Sequence, residues 1–373
     1  MHVVVLGAGY AGITLVRRLE RVLPDDVELT LVDESETHLI QHLLHRVVRE
    51  PALETHISVP VEDCCRRASF RCASVRHVDV DNGVVKLEDE RLEYDVGALC
   101  LGAQTEFYDL PGLERNATPL KRLADARHIR EEFIQVREER GRVVVGGAGL
   151  SGVQVAGELA ELAGDENDVD IVLLEQRSSV APEFPTQFQD AITEELENRD
   201  VQVRTNTAVE SVDESRVVTA DGNGIRYDQL IWTGGIRGQD ALSNSRPQVR
   251  STLRLGQRTV GAGDAVRVID DRGRTVPASA QTAVRQAKVA ARNVAALVEH
   301  ERDGTGFEPR LSRYTYESLG WVVTVGDGTV AQVGSRVLRG APARALKTTI
   351  GVQHLAAVGA AEDAVEFAQQ SLT

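Results

Sequence analysis

Two unbroken apolar runs, VVVL at 3–6 and VVV at 143–145, each end on a glycine turn. Both turns open a stretch whose apolar residues recur at helical spacing. After the second turn the stripe is Val153, Ala156, Leu159, Ala160 and Ala163. Each stretch then gives way to another apolar run that closes on an acid, VELTLVDE and VDIVLLEQ. The pattern predicts, twice over, a buried parallel strand, a tight turn, an amphipathic helix and a second parallel strand. Shorter alternating runs with Gly, Asp and Asn breaks lie in SVRHVDVDNGVVKLEDERLEYDVGALCLG and near 201–232, and predict hairpins that end in a buried strand. PASAQTAVRQAKVAARNVAALVEH predicts a long helix, with Pro277 just ahead of it and Ser279 as the candidate cap. From about residue 309 a tail is expected, with strands near WVVTVGDGTVAQVG and a final helix. That helix sets Ala361, Ala364, Val365, Ala368 and Leu372 against Glu362, Asp363 and Glu366.

A length of 373 residues with 42% apolar content predicts two or three domains with full cores. No apolar run approaches the roughly 20 residues that span a membrane. The first strand begins at residue 2, leaving no room for a secretory leader, so a cytoplasmic protein is expected. A net charge of −15 argues against a nucleic-acid partner, because phosphate binding needs basic patches. Only Lys86, Lys121, Lys288 and Lys347 are lysines, so 38 of the 42 basic residues are arginine. An acidic, lysine-poor surface suits concentrated salt, where the screening length falls to about 3 Å, and a halophilic source is expected. Cys64, Cys65, Cys72 and Cys100 form no CxxC pair and no zinc spacing, and structural roles are expected for them.

Gly7, Gly9 and Gly12 form G-x-G-x-x-G directly after a strand, with Asp33 placed 21 residues after the last glycine. Such glycines let the backbone turn sharply, approach a pyrophosphate and pack helix on strand, while the acid accepts from a ribose hydroxyl. Gly147, Gly149 and Gly152 repeat the motif, with Glu175 a further 23 residues on. Glu175 would accept from a 2′-hydroxyl and repel a 2′-phosphate, favouring NADH over NADPH, although Arg177 two residues later could soften that preference. Gly263-Asp264 follows another apparent strand and would offer a carboxylate to a ribityl hydroxyl. The expected fold is α/β, with two Rossmann-like dinucleotide-binding domains, the second inserted in the first, and a small C-terminal α+β region. The boundaries read as 1–112 with 236–308, 113–235, and 309–373.

The order of these motifs, with YDVGALCLGAQTEF between them, resembles the two-dinucleotide-binding-domain flavoproteins. Within that group the chain looks most like type II NADH dehydrogenase, the single-subunit NADH:quinone oxidoreductase. HLIQHLLHRV, PGLE at 111–114, GVQVAGELAEL, QLIWTGGIRG and PASAQTAVRQA carry the likeness over residues 1–300. The resemblance implies FAD on Gly7, Gly9, Gly12, Asp33, Gly263 and Asp264, and NADH on Gly147, Gly149, Gly152 and Glu175. It puts Ala280 and Gln281 beside the flavin pyrimidine and the quinone pocket, and names Gln281 and Gln154 as candidate catalytic residues. Hydride would pass from NADH to FAD, and two electrons from FAD to a quinone or other small acceptor. Peripheral membrane contact and a homodimer stay open.

The chain departs from that family pattern in four places. Gln154 stands where Glu is usual, Arg285 replaces the first of two paired glutamines, and His42 and His45 replace Pro and Tyr. The two histidines read as satisfied surface residues. Lys347 is placed near the acceptor. A sulfide:quinone oxidoreductase would need later cysteines than Cys100. The remaining alternatives are a soluble reductase of a small electron-carrier protein, and a redox sensor that binds FAD and NADH without turnover.

Overall fold

The computed structural model describes residues 1–164, 169–304 and 307–358. Two five-stranded parallel sheets organise them. In the first, the order across the sheet is Thr259–Gly261, Val96–Leu99, His2–Leu6, Glu28–Asp33 and Ser69–Cys72. In the second it is Thr118–Pro119, Gln229–Trp232, Arg142–Gly146, Asp170–Leu174 and Gln202–Arg204. Both first strands, His2–Leu6 and Arg142–Gly146, lie at the point where the chain reverses its direction of winding. Ligands of open parallel sheets bind beyond the carboxyl ends of the strands at such a point. Gly7 and Gly147 sit there.

These strands are apolar along their length because both faces are covered. Val3, Val4 and Val5 are fully buried, as are Val143, Val144 and Val145. Helix Tyr10–Val22 lays Leu15, Val16 and Leu19 on the core and packs against helix Ala280–Asp303. Burying a leucine this completely stabilises the fold by about 1.5–3 kcal/mol. Ser279 caps the second of these helices, its side chain accepting the Thr282 N–H. The alternating segments form two three-stranded antiparallel sheets, Val75–Asp79 with Val84–Leu87 and Arg91–Glu93, and Val209–Val212 with Arg216–Thr219 and Gly224–Arg226.

The tail strands are Trp321–Val325, Gly328–Val333 and Arg336–Arg339. They dock on helix Leu150–Ala163, where Gly157 admits the backbone closely: a Cβ there would lie 2.4 Å from the Gly326 nitrogen. The helix expected at 361–372 lies outside the described residues. A helix runs earlier, over Ala341–Val358, burying Ala343, Thr348, Gly351, Leu355 and Val358. Ala343, Thr348 and Gly351 hold the buried face until Leu355 and Val358 at its end, so the helix carries little apolar periodicity. HLLHRVV folds as a short turn and helix Leu44–Arg49, which packs against helices Leu123–Glu138 and Leu150–Ala163. Arg130 Nη1 closes its end by donating to the carbonyls of Val48 (2.8 Å) and Arg49 (2.9 Å). Among the described residues no helix is long and apolar enough to cross a membrane.

Asp270 ties the loop after the first sheet to the tail. Its buried carboxylate accepts the backbone N–H groups of Arg272 (2.9 Å), Arg274 (2.8 Å) and Tyr316 (3.2 Å), and the Arg274 guanidinium at 2.7 Å and 2.9 Å. Burial alone would raise its pKa, but the Arg274 side chain and these amides pull it down to about 2. A lowered folded-state pKa contributes stability above the unfolded value of about 4, and that contribution is lost as the pH falls toward 2. Asp270→Asn should therefore melt below the parent at neutral pH and lose less on acidification. Parallel acid profiles of the two melting temperatures would remove Asp270 from this role.

Candidate active site

Each glycine turn is built the same way. Gly7 and Gly147 have φ of +102° and +94°, which side chains on L-residues resist. A Cβ on Gly12 would lie 1.7 Å from the Gly7 carbonyl oxygen, and one on Gly152 would lie 1.9 Å from that of Gly147. At these positions helix and strand are in backbone contact. The middle glycines differ: a Cβ on Gly9 or Gly149 would meet nothing within 4 Å. Among the described residues the space at each Cβ position is open, and a pyrophosphate there would face the first helical turn.

A carboxylate locks each turn. Asp33 Oδ2 accepts the Ala8 N–H at 2.5 Å and Oδ1 accepts the Ser35 N–H at 2.8 Å. Burial raises the pKa of Asp33, and these amides oppose the rise. Glu175 repeats the arrangement, with Oε2 taking the Ala148 N–H and Oε1 the Arg177 N–H, each at 2.9 Å. Arg177 is itself turned away to Glu183, at 2.9 Å.

Gly263-Asp264 packs against both helices, since Gly263 lies against the side chains of Ala11 and Ala283. Its N–H donates to Gln286 Oε1 at 2.7 Å, in a buried bond. The Asp264 backbone carbonyl accepts from Arg246 Nε at 2.6 Å. Burial raises the Asp264 pKa, with Lys121 and Arg246 opposing the rise, and Lys121 is correspondingly lowered by its own burial. Sequence reasoning missed Lys121 and Arg246, which come from segments far from any motif. Ala280 and Gln281 open the capped helix, and Gln281 Oε1 is buried without a hydrogen-bond partner among the described residues. Arg285 donates to the Glu317 carbonyl and pins the loop before the tail, so it does not stand in for a glutamine at the site.

Gln154 is drawn into a separate polar core. Its Nε2 lies 3.3 Å from His45 Nε2, which lies 2.9 Å from Thr324 Oγ1, and Lys347 Nζ donates to the same hydroxyl at 2.7 Å. Glu158, one helical turn beyond Gln154, is 1% exposed. Arg49 Nε stands 2.8 Å from Glu158 Oε2, in ion-pair range but off hydrogen-bond alignment, and Arg49 Nη1 reaches Asp327 at 2.6 Å. Burial raises the Glu158 pKa against the pull of Arg49 and lowers that of Lys347 against the pull of Glu158. His45 is therefore not a surface histidine. It is buried, and desolvation with the Lys347 charge holds its pKa well below the usual value. His42 also faces inward, Nδ1 lying 2.5 Å from the Tyr10 hydroxyl. His42 lies in the turn Gln41–Leu43 and His45 in the six-residue helix that follows, both too short for periodicity to show which side is covered.

The cysteines do not form a redox centre: all four are free. Burial raises the Cys64 thiol to about 11 and the Cys65 and Cys100 thiols to about 12, so none is a thiolate near neutral pH.

Two parallel sheets, each with an acid-locked glycine turn at its switch point, define a protein built to hold two dinucleotides. Residues 1–287 match the pyridine nucleotide-disulphide oxidoreductase family, and the chain belongs to it. It is 25% identical over 393 aligned residues to the type II NADH:quinone oxidoreductase of Staphylococcus aureus, covering 96% of each chain. Its fold is similar to that of NDH2 from Plasmodium falciparum, solved in complex with NADH, at a TM-score of 0.81 and 15% identity over 100% of this chain and 98% of the other. It is also similar to the sulfide:quinone oxidoreductase of Aquifex aeolicus, at 0.75 and 17% over 96% and 91%.

Gln286→Leu would leave the Gly263 N–H buried and unpaired, a loss of about 1–3 kcal/mol. Calorimetry should show a lower melting temperature than the parent's. An unchanged midpoint would show that the bond does not hold the Gly263-Asp264 turn.

Proposed function

We propose that the chain oxidises NADH and passes two electrons through FAD to a quinone-type acceptor. The observation that carries this reading is the duplicated turn, open in front of Gly9 and Gly149 and closed by a carboxylate behind. FAD, when bound, supplies a two-electron carrier between a hydride donor and the acceptor. Gly7, Gly9 and Gly12 bring the amide end of helix Tyr10–Val22 to its pyrophosphate, while Asp33 serves the ribose and Asp264 the ribityl chain. Ala280 and Gln281 border the ring, with the positive end of a capped 24-residue helix behind them to stabilise negative charge there. Gly147, Gly149, Gly152 and Glu175 serve NADH. The Glu175 charge disfavours a 2′-phosphate, and Arg177 points to Glu183 in an exposed ion pair.

The absence of any thiolate near neutral pH supports direct transfer from flavin to acceptor, without a dithiol between. The relative from Staphylococcus aureus is named for NADH and quinone, and its match spans nearly both chains. Mixing the purified protein with NADH and a short-chain quinone should consume both in equal amounts. Consumption only with an added iron–sulfur protein would favour a carrier-protein reductase. Binding of NADH with no consumption in either case would favour a sensor.

Gly149→Ala separates binding from folding. Its φ of −67° suits alanine and its Cβ meets no protein atom, so the melting temperature should stay at the parent's value. The methyl group would enter the space of the pyrophosphate, and KM for NADH should rise about tenfold or more, the equivalent of about 1.4 kcal/mol. An unchanged KM would show that NADH does not lie against this turn.

A further inference from the structure

A second group of polar side chains, with His38 buried and the others partly buried, lies behind the first glycine turn, and the electron path described above does not use it. Tyr10, the first residue of helix Tyr10–Val22, is surrounded by His38, His42 and His354. Ring centroids stand 5.4, 5.9 and 4.5 Å from that of Tyr10, and the His354 ring comes from the tail helix Ala341–Val358.

The partners decide where each proton sits. His38 Nδ1 lies 2.8 Å from the Ala8 carbonyl, so it carries hydrogen and donates. His38 Nε2 is then bare, and accepts from His354 Nε2 at 3.2 Å. The Tyr10 hydroxyl accepts the His42 backbone N–H at 3.3 Å and donates its own proton to His42 Nδ1 at 2.5 Å. Neutral His42 therefore carries its hydrogen on Nε2. That atom is shut off from solvent and has no hydrogen-bond partner among the described residues. Burial, with the Lys347 charge and His38 nearby, keeps the ring neutral, so the hydrogen stays on Nε2 without a second on Nδ1.

A buried N–H without an acceptor is costly, and native proteins seldom keep one without a use. Here it stands beside the Tyr10 and His354 rings, near enough to Lys347 to feel its charge. The group that suits such a place is a flat ring with a carbonyl oxygen whose negative charge grows as electrons arrive. We propose that His42 Nε2–H is the hydrogen-bond donor that binds and orients a carbonyl oxygen of the quinone acceptor, with Tyr10 holding the imidazole in the donating tautomer. The proposal rests on the quinone reading of the preceding subsection. It adds the residue that grips the acceptor, at a position where the family pattern carries a proline that has no such donor.

The test separates the two half-reactions by rapid mixing. Reduction of the bound flavin by NADH, and its reoxidation by a short-chain quinone, are followed for the parent, His42→Leu, His42→Gln and Tyr10→Phe. His42→Gln keeps an N–H close to the place of Nε2. The expected result is a rise of about tenfold in the quinone concentration giving half-maximal reoxidation for His42→Leu. His42→Gln should recover most of that loss and Tyr10→Phe should fall between, with reduction by NADH unchanged in all three. Parent-like reoxidation by His42→Leu overturns the proposal and leaves the quinone reading standing. Flavin lost on dialysis of His42→Leu, with the retained fraction reoxidised normally, also overturns it, because the donor would then serve the flavin. A parent that quinone does not reoxidise ends both readings.

Discussion

The structure depends on a carboxylate at the end of one strand reaching back to the amide of the glycine turn beside it. Asp33 holds the Ala8 N–H and Glu175 holds the Ala148 N–H, in two sheets of the same order. Each bond closes a turn whose first glycine lies at positive φ and whose third glycine touches the first. The turn in turn fixes where the following helix starts, and therefore where its unpaired N–H groups point.

The core between the clefts follows a different rule. It buries Glu158 beside half-buried Lys347 and Arg49, and desolvation works against the charged form of both the acid and the lysine. Coulomb attraction among the three opposes that desolvation, with Asp327 at the surface sharing the Arg49 guanidinium. Gln154 adds hydrogen-bonding capacity without adding charge. With glutamine there, Glu158 is the carboxylate that faces two cations, and a second acid at 154 would have to be ionised beside it or protonated.

The parallel strands, the glycine turns, their acids and the cap at Ser279 could be read from the chain because each rests on a local pattern of a few residues. The hairpins ahead of each sheet's closing strand followed from alternation and turn residues. The polar core could not be read in this way. His45, Gln154, Thr324 and Lys347 come from four elements, and only the docking of the tail on helix Leu150–Ala163 brings them together. Lys121 and Arg246 reach Asp264 by the same kind of long-range packing. Helix Ala341–Val358 was missed because Thr348 and Gly351 occupy its buried face, where periodicity needs larger apolar groups.

On the reading proposed above, the two locked turns hold FAD and NADH within reach of each other. An anaerobic titration of the purified protein with NADH, followed by the visible absorbance of bound flavin, tests it most directly. The expected result is a yellow protein that bleaches to completion with one equivalent of NADH. A protein that binds flavin and keeps its colour through an excess of NADH would contradict it.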